Sequence, residues 1–193
     1  GIEGVHESIV SNNLGAHSRS RGAAYAAIDF RALRRFSLSI AAREEVYRSF
    51  AGEFSPTVAG GAWLSSHWKL RASASRGFRV PSYTDLYYHD PGNVGNPNLR
   101  PERSWSYEGG LDWRPGGRIQ AEATVFTRRE RDGIDYYRSA PGELWRALNI
   151  QNLNFTGVEA GLRYRTLDFR YTGLHGEQDT IAAGFTKYTF NYP

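Results

Sequence analysis

An alternation of apolar and polar residues with a period of two runs through most of this chain. Between Ile119 and Val125 every second residue is apolar, and the residues between them are Gln120, Glu122 and Thr124. The same alternation recurs near residues 68–75, 104–113 and 158–165. A period of two is typical of β-strands with one apolar face, whereas an amphipathic helix repeats every 3.6 residues. The sequence therefore predicts an all-β protein.

We predict about nine strands from this alternation. They cover residues 2–10, 21–31, 36–47, 56–65, 68–78, 104–113, 118–130, 148–165 and 167–175. Short connections at 32–35, 65–67, 114–117 and near Thr166 alternate with longer ones at 11–20, 48–55, 79–103 and 131–147. An antiparallel up-and-down meander with long loops at one end and short turns at the other is typical of transmembrane β-barrels.

A soluble antiparallel sheet protein would give the same alternation, with its apolar face turned inward. Two features favour a membrane barrel, whose apolar face contacts lipid, over a soluble sheet protein. The apolar faces carry small Ala and Gly residues that would make a thin soluble core, and aromatic residues fall toward strand ends, where membrane-interface girdles are expected. These aromatic residues are Trp68, Trp105, Trp113, Tyr164 and Tyr171. In a membrane barrel, Leu70 and Ala123 would face lipid, and Arg71 and Glu122 would face the lumen.

Composition excludes several classes of protein. No run of about 18 apolar residues is present, so the chain has no transmembrane-helix candidate. It has no cysteine, which excludes disulfides and thiolate sites. Its 24 basic and 20 acidic residues are scattered, without the basic patch of a nucleic-acid-binding surface. Because the chain begins at Gly1 without a signal segment, we expect it to be a piece of a longer exported protein.

Catalytic patterns are weak. The five histidines lack metal-ligand spacing. Two carboxylate pairs, Asp132 with Asp135 and Glu108 with Asp112, could serve glycoside hydrolysis only at a defined separation. Acidic residues at alternate positions are also what a polar barrel face contains. We therefore expect no enzyme, no metal site and no cofactor.

The segment 77–108 is a long connection with an unusual composition. Pro81, Pro91, Pro97 and Pro101 each remove a backbone donor, so no regular strand can run through it. The S-x-x-D pattern beginning at Ser82 predicts a helical turn around residues 85–88. Connections of about 25 residues are uncommon and are usually functional or disordered. The many tyrosines argue against disorder.

The order of motifs in this segment resembles one protein family. It reads F-R-x-P at 78–81, D-L-Y-Y at 85–88, G-N-P-N-L-x-P-E-x-S at 95–104 and Y-E-x-G-L at 107–111. This order resembles the barrel of TonB-dependent outer-membrane receptors, and the resemblance extends more loosely over residues 41–165. Such receptors have barrels of about 22 strands with a plugged lumen.

The resemblance implies the following partners and domains. The protein would lie in the bacterial outer membrane and bind a scarce metal chelate, an iron siderophore or a cobalamin-like molecule. Its other partners would be outer-membrane lipid and the TonB complex, which acts through the plug; no nucleic acid is expected. Residues 1–193 would be part of the barrel domain, with the plug and the final strands outside this sequence.

The best candidates for ligand contact lie in two polar-aromatic segments. The first supplies Tyr83, Tyr87, Tyr88, His89, Asp90, Asn93, Asn96 and Asn98; the second, predicted as the next long loop, supplies Tyr136, Tyr137, Arg138 and Trp145. Flat apolar faces combined with hydrogen-bonding groups suit a bulky amphipathic ligand. The alternative is that these residues only pack the loop against the barrel mouth.

Two other functions stay open at this point. One is a passive outer-membrane pore or adhesion barrel, and the other is a soluble carbohydrate-binding β-sheet protein. The identity of the chelate also stays open, because the same loop motifs occur in cobalamin and siderophore receptors.

Overall fold

A computed structural model describes residues 1–30, 35–180 and 185–186 of the chain. Nine long strands dominate this described part. They are β1 (Ile2–Ser11), β2 (Gly15–Phe30), β3 (Phe36–Tyr47), β4 (Glu53–Trp63), β5 (Trp68–Arg79), β7 (Glu102–Trp113), β8 (Ile119–Arg138), β9 (Trp145–Tyr164) and β10 (Leu167–Thr180). Three short elements, α1 (Tyr83–Tyr87), β6 (Asn93–Val94) and β11 (Phe185–Thr186), complete them.

The long strands form one up-and-down sheet. Its order is β1-β2-β3-β4-β5-β7-β8-β9-β10, and each strand pairs antiparallel with the next. The short β6 pairs parallel with β9, and β11 pairs with β8. The predicted all-β antiparallel meander is therefore confirmed. The described helix, α1, is too short to cross a membrane.

Two predicted long loops are wrong. The connection predicted at 11–20 is a turn at residues 12–14, because His17 pairs with Ile9 and the β1–β2 ladder continues to Gly15. The connection predicted at 131–147 is a hairpin turn at residues 139–144, since β8 and β9 stay paired as far as Tyr137 and Arg146. In both segments apolar and polar residues no longer alternate, but the backbone still forms hydrogen bonds with the neighbouring strand. Most of the predicted turn at 32–35 falls outside the described residues.

Strand register separates the two faces as the alternation predicted. Leu111, Ala123, Ala160 and Tyr171 lie in one row across four strands, on the same face as Leu70. Arg71 and Glu122 lie on the opposite face, with Glu108 and Asp112. The apolar face is uncovered, and Val125 in its middle is 60% exposed.

Aromatic pairs mark both ends of the apolar face. Trp68 and Trp113 stack at the end with the short turns, with ring centroids 5.8 Å apart. Trp105 and Tyr107 stack toward the other end, with centroids 6.0 Å apart. Trp105 and Trp113 are about 27 Å apart along β7, or about 20 Å across the membrane for a strand tilted by about 40°. This separation is close to the apolar band of about 25 Å on transmembrane barrels.

Arginine–carboxylate pairs fill the polar face. Arg21 contacts Glu3 and Glu45, each at 2.9 Å. Arg71 donates to Glu108, Asp112 and Thr124 on the two next strands. Because both charges of each pair come from neighbouring strands, this face balances much of its own charge.

Candidate functional site

The long connection begins with a capped helical turn. The Ser82 hydroxyl accepts from the Asp85 amide at 3.1 Å, and the Asp85 carboxylate accepts from the Ser82 amide at 2.9 Å. This capping box is the one that the sequence predicts, although α1 covers Tyr83–Tyr87 instead of 85–88. Arg79 at the end of β5 contacts the same carboxylate at 3.2 Å. The turn is therefore fixed to the strand that precedes it.

The segment then folds back onto the end of the sheet. Leu86 and Leu99 are buried against Ala147 of β9, with Phe50, Tyr87, Ile134 and Tyr136 around them. Asn96 links both sides, because its amide donates to the Asp85 carbonyl at 2.9 Å and its side chain donates to the Ala147 carbonyl at 3.1 Å. A side chain at Gly95 would lie 2.7 Å from the backbone of Leu86. The G-N-P-N motif therefore closes the connection over the sheet.

Asp90 organises the tip of this connection. Its carboxylate accepts from the Gly92 amide at 2.7 Å, the Asn93 amide at 2.6 Å, the Asn93 side chain at 3.0 Å and the Tyr88 hydroxyl at 3.0 Å. Hydrogen bonds from the Asn93 side chain and the Gly92 amide lower the pKa of Asp90 to about 2. The Asp90 carboxylate raises the pKa of Tyr88 in turn. Asp90 and Asn93 thus hold the loop by contacts within it.

The depressed pKa of Asp90 predicts that the loop tip loosens in acid. A carboxylate whose pKa is lowered in the folded state stabilises the fold at pH values above its unfolded-state pKa of 3.8. It loses that contribution as the pH falls toward about 2. Hydrogen exchange at Gly92 and Asn93, normalised to an unstructured peptide, should therefore accelerate between about pH 4 and 2. In the Asp90→Asn variant this pH-dependent step should disappear. A wild-type profile without the step would contradict the role of Asp90.

The second candidate group meets the first. Tyr136, Tyr137 and Arg138 lie at the end of β8 and Trp145 begins β9, so these residues belong to paired strands and not to the predicted loop. The Arg138 guanidinium lies 4.4 Å from the centre of the Trp145 ring. Asn93 pairs with Trp145, whose amide donates to the Gly92 carbonyl at 2.9 Å. The two segments therefore form one continuous rim.

Sequence reasoning missed the residue that completes the aromatic part of this rim. The rings of His17 and Tyr87 stack with centroids 3.6 Å apart and planes 7° apart. His17 Nε2 lies 2.7 Å from the Leu14 carbonyl, which accepts its proton. Arg19 on the same strand lies 5.2 Å from the Tyr83 ring centre. No spacing pattern links residues 17 and 87, because they meet only where the connection after β5 folds against β2.

The candidates thus divide into two sets. Asp90 and Asn93 form hydrogen bonds within the loop, and Asn96 forms hydrogen bonds to both the loop and β9. Exposed or half-buried surface remains on Tyr83, Tyr87, Tyr88, His89 and Asn98. His89 is exposed while its amide donates to the Asn13 carbonyl at 3.2 Å. Across the ranges that the structure covers, no group of three or more acidic residues and histidines is arranged to hold a metal ion.

The sheet, its two aromatic bands and the rim define a segment of a transmembrane β-barrel with a structured loop over one end. The family model described as "TonB dependent receptor-like, beta-barrel" matches residues 5–193. The chain belongs to this family of bacterial outer-membrane receptors.

Two relatives are an outer-membrane protein and a transporter by name. The chain is 28% identical over 207 residues to the iron-regulated outer membrane virulence protein of Vibrio cholerae, covering 92% of this chain and 32% of the relative. It is 33% identical over 103 residues to the vitamin B12 transporter BtuB of Vibrio vulnificus, covering 53% of this chain and 16% of the relative. The chain therefore spans about a third or less of these relatives.

A solved structure has the same fold. The siderophore receptor PirA from Pseudomonas aeruginosa superposes with a TM-score of 0.79 at 20% identity, over 91% of this chain and 36% of that one. The copper transporter OprC superposes with a TM-score of 0.65 at 20% identity, over 81% and 29% of the two chains. At this identity the likeness concerns the fold alone.

Proposed function

We propose that this chain is part of a receptor that captures a bulky metal chelate at its outer loops and imports it with energy from the TonB complex. The chelate would be an iron siderophore or a cobalamin-like molecule, as the names of the siderophore receptor PirA and the vitamin B12 transporter BtuB suggest. The plug through which TonB acts and the remaining strands would lie outside this sequence. Receptor and transport class follow from the family, whereas the ligand and the TonB step are part of this proposal.

The observation that carries the proposal is the folded rim. Tyr83, Tyr87 and His17 form a continuous stack at the mouth, with Tyr83 and Tyr87 centroids 6.4 Å apart. Flat rings with polar edges suit a large ligand that has both apolar and hydrogen-bonding surface. The loop beneath them is already ordered by Asp90 and Asn96, so little conformational entropy would be lost on binding.

The test is equilibrium binding to the full-length receptor that contains this segment. Candidate probes are ferric enterobactin as a catecholate chelate and cyanocobalamin, each titrated separately. Changing Tyr87 and Tyr88 together to alanine should weaken binding of the recognised chelate by about 2 kcal/mol, or tens-fold. The barrel should still assemble, since both rings lie outside the strand ladders.

A matched control separates contact from packing. Changing Ile134 to valine trims the packing beside Leu86 at a residue that is not a candidate for ligand contact; it should leave affinity within about threefold. Limited proteolysis of residues 80–101 reports loop order. Unchanged affinity together with a newly cleaved loop would assign the tyrosines a packing role and refute the contact.

The orientation of the barrel is a separate prediction. Transmembrane barrels have short periplasmic turns and longer outer loops, so residues 80–101 should lie outside the cell and residues 114–118 in the periplasm. Cysteines introduced at Asn98 and at Gly116, which are both exposed, test this in intact cells. An impermeant maleimide should label the first and spare the second. Labelling of the second alone would reverse the orientation.

A further inference from the structure

The β1–β2 hairpin continues past its neighbour β3 at the long-loop end of the sheet. β2 pairs with β1 as far as Gly15, whereas its pairing with β3 ends at Arg21. Residues 15–20 therefore have no strand partner on the β3 side within the described part of the chain. The connection after β5 passes the ends of β4 and β3 and reaches this edge, where Tyr87 stacks on His17. The hairpin and the connection thus meet although two strands lie between β2 and β5.

Arg19 joins this hairpin to the beginning of the connection. Its Nε and Nη2 donate to Glu7 Oε2 at 3.2 and 2.8 Å, across the β1–β2 ladder. Its Nη1 donates to the Pro81 carbonyl at 2.9 Å, 62 residues further along the chain. The guanidinium also lies 5.2 Å from the Tyr83 ring centre, within the range of a cation–π contact. One side chain therefore holds the first residues of the connection against β2.

Tyr83 has a second contact with the same hairpin. Its hydroxyl donates to the Glu7 carbonyl at 3.3 Å. Glu7 therefore accepts from Arg19 with its carboxylate and from Tyr83 with its backbone. A tyrosine side chain has only two torsion angles, so contacts at its ring face and at its hydroxyl fix its orientation. The fixed ring lies 6.4 Å from the ring of Tyr87, the next member of the aromatic stack.

The donors of Arg19 are already used within the protein. Each of its three guanidinium nitrogens has an acceptor in Glu7 or Pro81, and its side chain is only 13% exposed. Pro81 is less than 2% exposed, so its carbonyl would lose a donor where water has little access if Arg19 were removed. Arg19 is therefore placed to hold its neighbours and not to contact a ligand.

We propose that Arg19 is a positioning residue for the chelate site: it holds Tyr83, and through Tyr83 the stack with Tyr87 and His17, in the orientation that contacts the chelate. Rings that are already in place lose less conformational entropy when a ligand binds. Loss of the guanidinium would release the start of α1, and affinity would fall although Arg19 does not touch the chelate. This inference rests on the proposed function.

Three variants of the full-length receptor test this role, with ferric enterobactin and cyanocobalamin titrated separately as probes. R19Q removes the charge, and R19K keeps the charge but lacks the planar fork that reaches two acceptors. R21Q is the matched control, because Arg21 lies on the same face of β2 and its two ion pairs are with carboxylates of the neighbouring strands. We expect R19Q to bind the recognised probe about tenfold more weakly than wild type, R19K to lie between them, and R21Q to stay within about twofold of wild type.

Two further measurements separate positioning from a general loss of stability. In a Y83A background, R19Q should change affinity by less than about twofold, because the ring that Arg19 holds is absent. Hydrogen exchange is measured without ligand at the Leu86 and Tyr88 amides, which donate to carbonyls of the same helical turn. Their exchange should be about fivefold faster in R19Q and unchanged in R21Q.

Several results would overturn this role. Equal affinities of R19Q and R21Q would show that Arg19 only stabilises the hairpin, and an equal effect of R19Q with and without Tyr83 would show that it does not act through that ring. Unchanged exchange at Leu86 and Tyr88 would show that it does not hold α1. A wild-type receptor that bound neither probe would refute the proposed function, and the exchange comparison would still decide whether Arg19 holds α1. If R19Q did not assemble, R19K would take its place, and an affinity and exchange equal to those of R21Q would overturn the role.

Discussion

Replacing Glu53 with alanine should destabilise the barrel by about 2–3 kcal/mol, because two arginines would lose their shared counter-ion. Glu53 is 1% exposed and contacts Arg76 Nη2 at 2.7 Å and Arg103 Nη2 at 2.6 Å. Removing one partner of a buried ion pair commonly costs about 3–5 kcal/mol. The lower range applies here because the Arg103 side chain is 35% exposed and water screens part of its charge.

The measurement is the free energy of unfolding of the full-length receptor in lipid vesicles, obtained by urea titration. Glu53→Gln keeps the side-chain volume and removes the charge, so this variant should be destabilised nearly as much as Glu53→Ala. Glu122→Gln changes an exposed carboxylate on the polar face and should cost less than about 0.5 kcal/mol. A Glu53→Gln variant as stable as this control would show that the contacts of Glu53 with Arg76 and Arg103 contribute little to stability.

Arginine at position 123 should cost about 2–4 kcal/mol of barrel stability, the range for a cation on the lipid face near the bilayer centre. Ala123 pairs with Leu111 and Ala160 in a row one step from Val125, which lies midway between the two aromatic bands. The new guanidinium would therefore have acyl chains around it and no carboxylate in its row.

Thr172→Arg is the matched control at nearly the same depth. Thr172 is exposed on the polar face and lies opposite Glu159, so the new cation would meet water and a carboxylate. We expect a change of less than about 1 kcal/mol. The comparison is made as the difference in unfolding free energy between the two variants. Equal losses of stability would mean that the two faces do not contact lipid and the lumen, respectively.

The family membership could be reached from the sequence because its signals are local. Alternation along a single strand reports which residues share a face, and this was enough to assign Leu70 and Arg71 to opposite sides. The S-x-x-D pattern at Ser82 likewise reports a capping box that involves only neighbouring residues. The motifs between residues 78 and 111 indicated the family.

The sequence did not predict the strand ends correctly. Outside the bilayer the alternation of polar and apolar residues fades, because both faces of a strand can meet water or packed loops. The sequence therefore predicted loops at 11–20 and 131–147, where pairing between β1 and β2 and between β8 and β9 continues. A bulge in β8 between Glu130 and Ile134, with φ of 58° at Asp132, further shifts the register there.

The sequence by itself determined the β class, the two faces, the capped turn and the family of this protein, since each depends on residues within one strand or one motif. Only the tertiary structure decided which candidates meet. Tyr87 stacks on His17, Asn96 bonds to Ala147 of β9, and Arg129 lies opposite Trp105, because the fold holds segments that are distant in the sequence side by side. Register is a property of the whole sheet, in which backbone pairing and burial on several strands are satisfied together.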